Sequence, residues 1–268
     1  MKHAASLVLG LLVMLFACPV PAQAPVAPSK AAFSDWAAVV VAGDWHAHSG
    51  GPTEAFDNAR RDVSQTLVTL GFSPDAIRQY SVRPKRYPAV RPGKTELHGI
   101  YEGLSGLAAR HKAGCLVYIS SHGAPEGAVL DNAILPPPLL AALIDEVCPA
   151  RPSIVVISAC FSGVFVPPLQ KDDRMVLTAA RADRTSFGCS ESDKYPYFDD
   201  CFLSSAPTAH DFAALGQAVQ ACVARKERQT GAEPPSEPQL WIGPTLRPLL
   251  PLYAFPHALL APGPPTAR

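Results

Sequence analysis

The sequence predicts an α/β domain: a mostly parallel sheet of about six strands with helices on both faces. Three observations carry that expectation. Apolar, β-branched runs recur at 36–43, 115–121 and 153–160, as in strands buried on both sides. Segments with helical apolar spacing lie between them. Several of these runs stop at a reactive or small residue, where a parallel strand gives way to a loop at the edge of its sheet.

The elements follow in order. Trp36 to Gly43 is a first strand, and Asp44 to Pro52 is a loop at its carboxyl end. Thr53 or Asp57 caps a helix whose Val63, Leu67 and Leu70 face inward, and Gly71 ends it. Ile77 to Val82 is a second strand, and Arg83 to Pro92 a basic, proline-rich loop. Thr95 caps a second helix carrying Leu97, Ile100, Leu104 and Leu107 on one face. The strand that stops at His122 comes next, then a small hairpin over Glu126 to Leu135. Pro136 to Pro138 open a helix that runs to Val147, since proline is tolerated in a first turn. The strand that stops at Cys160 follows, then a strand over Met175 to Ala179. Arg181 to Asp200 reads as a polar loop in which Asp183, Glu191, Asp193 and Asp199 form a solvated rim. Thr208 to Glu227 is a helix, Thr230 to Glu237 a linker, and Leu240 to Gly243 a last strand.

The ends set limits. Lys2, the apolar run Ala4 to Ala17 and the small-x-small triplet Ala22-Gln23-Ala24 read as a signal peptide over 1–24. The chain is then exported, periplasmic or secreted. A rival reading lipidates Cys18 and anchors the chain as a lipoprotein. Residues 25–34 are a flexible Pro/Ala linker, 35–243 the folded domain and 244–268 a Pro-rich tail that packs early and frays late. No other apolar run approaches the about 20 residues that span a bilayer. Lys+Arg and Asp+Glu balance at 23 each with no basic block, which argues against a nucleic-acid partner. There is no GxGxxG and no Walker loop, so no nucleotide cofactor is expected.

Beyond Cys18 the cysteines are Cys115, Cys148, Cys160, Cys189, Cys201 and Cys222. Cys115 and Cys148 fall at one sheet edge and form a reasonable disulfide. Cys201 pairs with either Cys189 or Cys222. If Cys160 stays free, parity leaves at least one more thiol unpaired.

His122 and Cys160 each end a buried strand and are followed by small residues. Parallel strands place both at one edge, where a thiol beside an imidazole forms a nucleophile and its base. The backbone N–H groups of Gly123 and Cys160 suit an oxyanion hole. Asp44, Trp45 and His48 are placed to line the cleft. Asp44, His46 and His48 also have the look of a metal group, but no further ligands follow, so no metal is expected.

Ser121-His122-Gly123 and Ser158-Ala159-Cys160-Phe161-Ser162-Gly163 resemble the catalytic motifs of the legumain (asparaginyl endopeptidase) family, whose relatives include the caspases and the catalytic subunit of the GPI transamidase. Ala42-Gly43, Gly71-Phe72-Ser73-Pro74-Asp75, Thr178-Ala179 and Tyr197-Phe198-Asp199-Asp200 extend the likeness over Trp36 to Gly243. The resemblance implies a caspase-haemoglobinase-like three-layer α/β/α sandwich, with Cys160 as nucleophile and His122 as acid/base. It makes Asp200 a pocket acid, and Asn58-Ala59-Arg60 repeats an Asn-x-Arg spacing of the family's pocket. The family's glutamate two residues before the cysteine is Ser158 here, and the serine of its Thr-Ala-Ser is Ala180, so asparagine specificity does not transfer. The expected substrate-binding residues are thus Asp44, Asn58, Arg60, Ser158 and Asp200, and the expected activity is an exported cysteine endopeptidase acting on peptides or proteins. A transpeptidase or transamidase with the same dyad, a silent binding protein on the same fold, and a metal-dependent hydrolase using His46, His48 and His122 are the alternatives. The sequence does not speak to oligomeric state.

Overall fold

The structure, a computed structural model, describes residues 31–259. The expected signal peptide, Cys18, linker residues 25–30 and tail residues 260–268 lie outside the described residues. In chain order the elements are β1 (Trp36–Ala42), α1 (Ala55–Thr69), β2 (Ile77–Ser81), β3 (Gly93–Lys94), α2 (Leu97–Ala108) and β4 (Gly114–Ser120). Then come β5 (Gly123–Ala124), β6 (Gly127–Leu130), β7 (Ala133–Leu135), α3 (Pro137–Val147), β8 (Ser153–Ser158) and α4 (Val166–Leu169). The chain continues with β9 (Arg174–Thr178), α5 (Tyr197–Ser205), α6 (Phe212–Thr230), β10 (Gln239–Ile242) and α7 (Pro256–Leu259).

The main sheet has 7 strands in the order β10-β9-β8-β4-β1-β2-β3, parallel except for β10. The strand beyond the expected number is β3, a short edge strand just past the basic loop. Side chains alternate across β1: Trp36, Ala38 and Val40 join the core under α1, α5 and α6, whereas Ala37, Val39 and Val41 join the core under α2 and α3. This makes three layers, and it explains why the central strands read as unbroken apolar runs. The expected hairpin at 126–135 is present as β6 and β7, with β5 beside it in a second, 3-stranded sheet.

Several expectations are corrected. Phe33, assigned to the flexible linker, is fully buried in an aromatic cluster with Trp36, Phe72, Phe212 and Phe255. The start of the Pro-rich tail is packed, with Leu246, Leu250 and Phe255 buried, so together with Phe33 the packed residues reach past 35–243 at both ends. Thr95 does not cap α2; its hydroxyl donates to the Ala42 carbonyl at 2.8 Å and ties the helix lead-in to the tip of β1. Thr53 accepts from the Ala55 N–H at 3.2 Å at the start of α1, while Asp57 pairs with Arg60 instead of capping. The last part of the polar loop is α5, where Phe198, Cys201 and Phe202 at helical spacing are buried. α6 starts later than expected because Asp211 caps it, accepting from the Ala214 N–H at 2.8 Å.

Cys115 is bonded to Cys148, and Cys201 to Cys222. Cys160 and Cys189 are free.

Candidate active site

Strand register builds the site. Ser120 on β4 pairs with Ser158 on β8, and the Ser121 N–H donates to the Ser158 carbonyl at 2.9 Å. His122 and Cys160 each lie two residues past that pair, at the same edge of the sheet. Behind them the tips are in contact: a Cβ added to Gly123 would lie 2.1 Å from the Cys160 carbonyl oxygen. Any larger residue at 123 would therefore push the strand ends apart.

The turn after Cys160 is sharp. Phe161 has a left-handed φ of 56°, uncommon for a bulky residue. Its N–H donates to the Arg184 carbonyl at 2.7 Å, and Ser162 Oγ accepts from the Ala180 N–H at 3.1 Å. The Cys160 side chain is 5 % exposed, and its Sγ accepts from the Ser186 N–H at 3.3 Å. The Cys160 N–H has no hydrogen-bond acceptor among the described residues, so it remains available to a substrate carbonyl.

His122 is half-buried. Its Nε2–H donates to the His46 carbonyl at 2.8 Å, which leaves the Nδ1 lone pair free. Its ring centre lies 5.0 Å from Phe56, edge to face, and 4.8 Å from His48. Burial, with His122 adding to it, lowers the His48 pKa from the ordinary histidine value. Asp44 shapes this side of the site: its Oδ1 accepts from the N–H groups of Trp45 (2.6 Å) and His46 (3.0 Å) and from His46 Nδ1 (2.8 Å). The loop is thereby folded so that the His46 carbonyl meets His122, while the His46 ring itself stays 44 % exposed.

The expected substrate-binding group is not assembled as such. Ser158 is buried and donates to Asp199 at 2.7 Å. Arg60 is buried against Asp57 at 2.9 Å and stacks over Tyr87. Asn58 donates to the Lys194 carbonyl at 3.1 Å and accepts from Arg61 at 3.0 Å. Asp200 pairs with Lys226 on α6. Asp44 holds its own loop, as above. These polar groups have partners within the fold. Of the loop histidines, His46 bonds to Asp44 through Nδ1, whereas His48 lies beside His122.

Asp199, expected on a solvated rim, is fully buried beneath the strand tips. It accepts from Tyr118 (2.6 Å), Ser120 (2.8 Å) and Ser158, and so clamps β4 to β8 from below. Burial raises its pKa from 3.8 to about 6, against the lowering effect of those three hydroxyls.

Sequence reasoning missed Ser186 and Cys189, both on the loop between β9 and α5. Thiol parity was the one signal for Cys189. That thiol is buried, and burial, reinforced by Cys160, Asp193 and Asp199, pushes it up to about 12. Its Sγ shares a space with His48 and His122, with one ligand-type atom from each residue lying within 4.8 Å of the others. The loop is tied to the front of the site by Thr53, whose hydroxyl donates to the Ser190 carbonyl at 3.0 Å, and by Ser49 on Glu191.

A sequence model of the Peptidase C13 family matches residues 36–233. The chain belongs to the Peptidase C13 family. The match covers the strands that carry His122 and Cys160, and the sequence resemblance to legumain points to the same family. The crystal structure of caspase-1 from Spodoptera frugiperda shares the fold, with a TM-score of 0.58 over 84 % of this chain and 93 % of that one, at 16 % identity. No curated protein sequence matches. This C13 member is a cysteine-type peptidase.

Proposed function

We propose that the chain is an exported cysteine endopeptidase in which Cys160 is the nucleophile and His122 the acid/base. The observation that carries this is the β4–β8 register, which sets His122 and Cys160 in step beyond Ser120 and Ser158. His122 Nδ1 takes the Cys160 thiol proton as the S–H bond breaks and the sulfur adds to the scissile carbonyl, and the Cys160 and Gly123 N–H groups receive the oxygen as it gains charge. One such donor is worth about 10²–10³ in rate. The C–N bond then breaks, and His122 delivers a proton to the departing amine. Water attacks the resulting thioester, His122 takes the water's proton, and the C–S bond breaks to release the acid as His122 returns that proton to the Cys160 sulfur. His122 Nδ1 is the proton-carrying atom, because the His46 carbonyl holds Nε2–H.

Export is supported by the amino-terminal residues and by two disulfides, which persist in oxidising compartments. Among the described residues no helix is long and apolar enough to cross a membrane.

The test is a peptide-library cleavage profile of wild type beside Cys160→Ala. Loss of the nucleophile is expected to lower turnover by at least about a thousandfold, and equal cleavage by both proteins overturns the assignment. The mass of the mature chain tests export. A chain beginning at Pro25 is expected, a lipid-modified Cys18 points to an anchored form, and an intact Met1 in the cytoplasm contradicts both.

A further inference from the structure

Cys189 has no place in the peptidase mechanism, yet it is free, buried and faces the front of the site. His48, His122 and Cys189 come from three separate segments: the loop after β1, the tip of β4 and the loop before α5. Two imidazoles and a thiol that converge from three directions form a donor set for a borderline-soft divalent cation. Their ligand-type atoms lie within 4.8 Å of one another. Bonds of about 2.0–2.3 Å from zinc to nitrogen and sulfur need these atoms about 3.5 Å apart. Closing that gap takes about 1 Å, and His48, exposed on its loop, can rotate to supply it.

A second observation points the same way. A metal-binding histidine usually donates its other ring N–H to a carbonyl or carboxylate. His122 already does this, through Nε2–H to the His46 carbonyl at 2.8 Å, which leaves Nδ1 as its lone-pair nitrogen. The loops are also held together without a metal, through Thr53 on the Ser190 carbonyl and Ser49 on Glu191. The cage is thus largely assembled in advance.

We propose that His48, His122 and Cys189 bind one Zn2+-class cation, which holds the peptidase in an inactive state. The cation takes the Nδ1 lone pair of His122, the pair the proposed mechanism needs for proton transfer, so the inhibitory effect rests on that mechanism. On binding, the S–H bond of Cys189 breaks, a sulfur–metal bond forms and the proton leaves to solvent. Water occupies the fourth position on the solvent side. Cys160 is not a ligand.

The site is tested apart from catalysis on the full Cys160→Ala chain, using Zn2+ by titration calorimetry and Co2+ by absorption. One cation per chain is expected, with a thiolate-to-cobalt charge-transfer band. Adding Cys189→Ala should abolish the band, and adding either Cys189→Ala or His48→Ala should weaken Zn2+ by at least about tenfold, because even second-sphere partners of metal ligands are worth that much. In the chain with Cys160 intact, Zn2+ should slow alkylation of Cys160, and Cys189→Ala should remove most of that protection. The proposal is overturned if the Cys160→Ala chain binds no Zn2+, including the case where only the Cys160-containing chain does. It is also overturned if neither second substitution weakens binding. Failure of the metal-free chain to be alkylated at Cys160 would count against the proposed dyad and leave the metal result standing.

Discussion

The strand tips at 120–123 and 158–160 and the loops at 44–54 and 181–196 face the same space but are held in different ways. The tips are set by sheet register, by contact between Gly123 and the Cys160 backbone, and by Asp199 beneath. The loops are set by individual side-chain bonds between residues far apart in the chain, such as Thr53 to the Ser190 carbonyl and Asn58 to the Lys194 carbonyl. In the proposed mechanism the tips therefore fix where chemistry occurs, while the loops decide what can reach it and can change one bond at a time.

The sharpest way to break this contrast is at Gly123. Its added Cβ would meet the Cys160 oxygen, so Gly123→Ala must displace one tip. A misplacement of about 1 Å costs about a hundredfold in kcat/KM, and an unchanged kcat/KM would show that the tips are as tolerant as the loops. Asp199→Asn probes the clamp below. Folded Asp199 holds its proton more tightly than unfolded chain does, so between pH 3.8 and about 6 the native state carries the excess proton. Stability contributed by this group is therefore full below that window and falls as pH rises through it, by about 3 kcal/mol at most. Melting curves across this range should slope more steeply for wild type than for Asp199→Asn; parallel slopes would contradict a buried, perturbed carboxyl. The smallest effect belongs to the loops. Thr53→Ala removes one buried tie and is expected to cost about 1 kcal/mol in urea unfolding, with Cys160 alkylated at close to the wild-type rate. A large drop in that rate would mean that the loops position the Cys160 thiol too.

The same contrast explains what was legible in the sequence. Buried parallel strands announce themselves by unbroken β-branched runs, and their ends by the small residues after His122 and Cys160. The layered fold, the placement of His122 and Cys160 at one sheet edge and the Cys115–Cys148 bond could all be read in this way. The His46 carbonyl could not, because a main-chain oxygen has no letter of its own. Ser158, Arg60, Asn58 and Asp200 have the chemistry of a pocket, but whether a polar group faces substrate or a partner depends on packing between distant segments. α5 was hidden because its buried Asp199 reads as a loop charge, and a fully buried carboxyl is rare unless hydroxyls or cations surround it.

The Cys115–Cys148 bond lies at the opposite end of the two strands that carry His122 and Cys160, joining the start of β4 to the segment just before β8. Because β8 is apolar on both faces, burial alone does not fix how far it slides along β4, and a slip of two residues, about 6.6 Å, would even keep each side chain on its own face. Such a slip would still satisfy the ladder and the core while leaving sulfur and imidazole out of step. The covalent bond opposes it, because it ties the segment that leads into β8 to the start of β4. The disulfide thus acts as a ruler as well as a brace, measuring from the far edge of the sheet how far each strand reaches into the site.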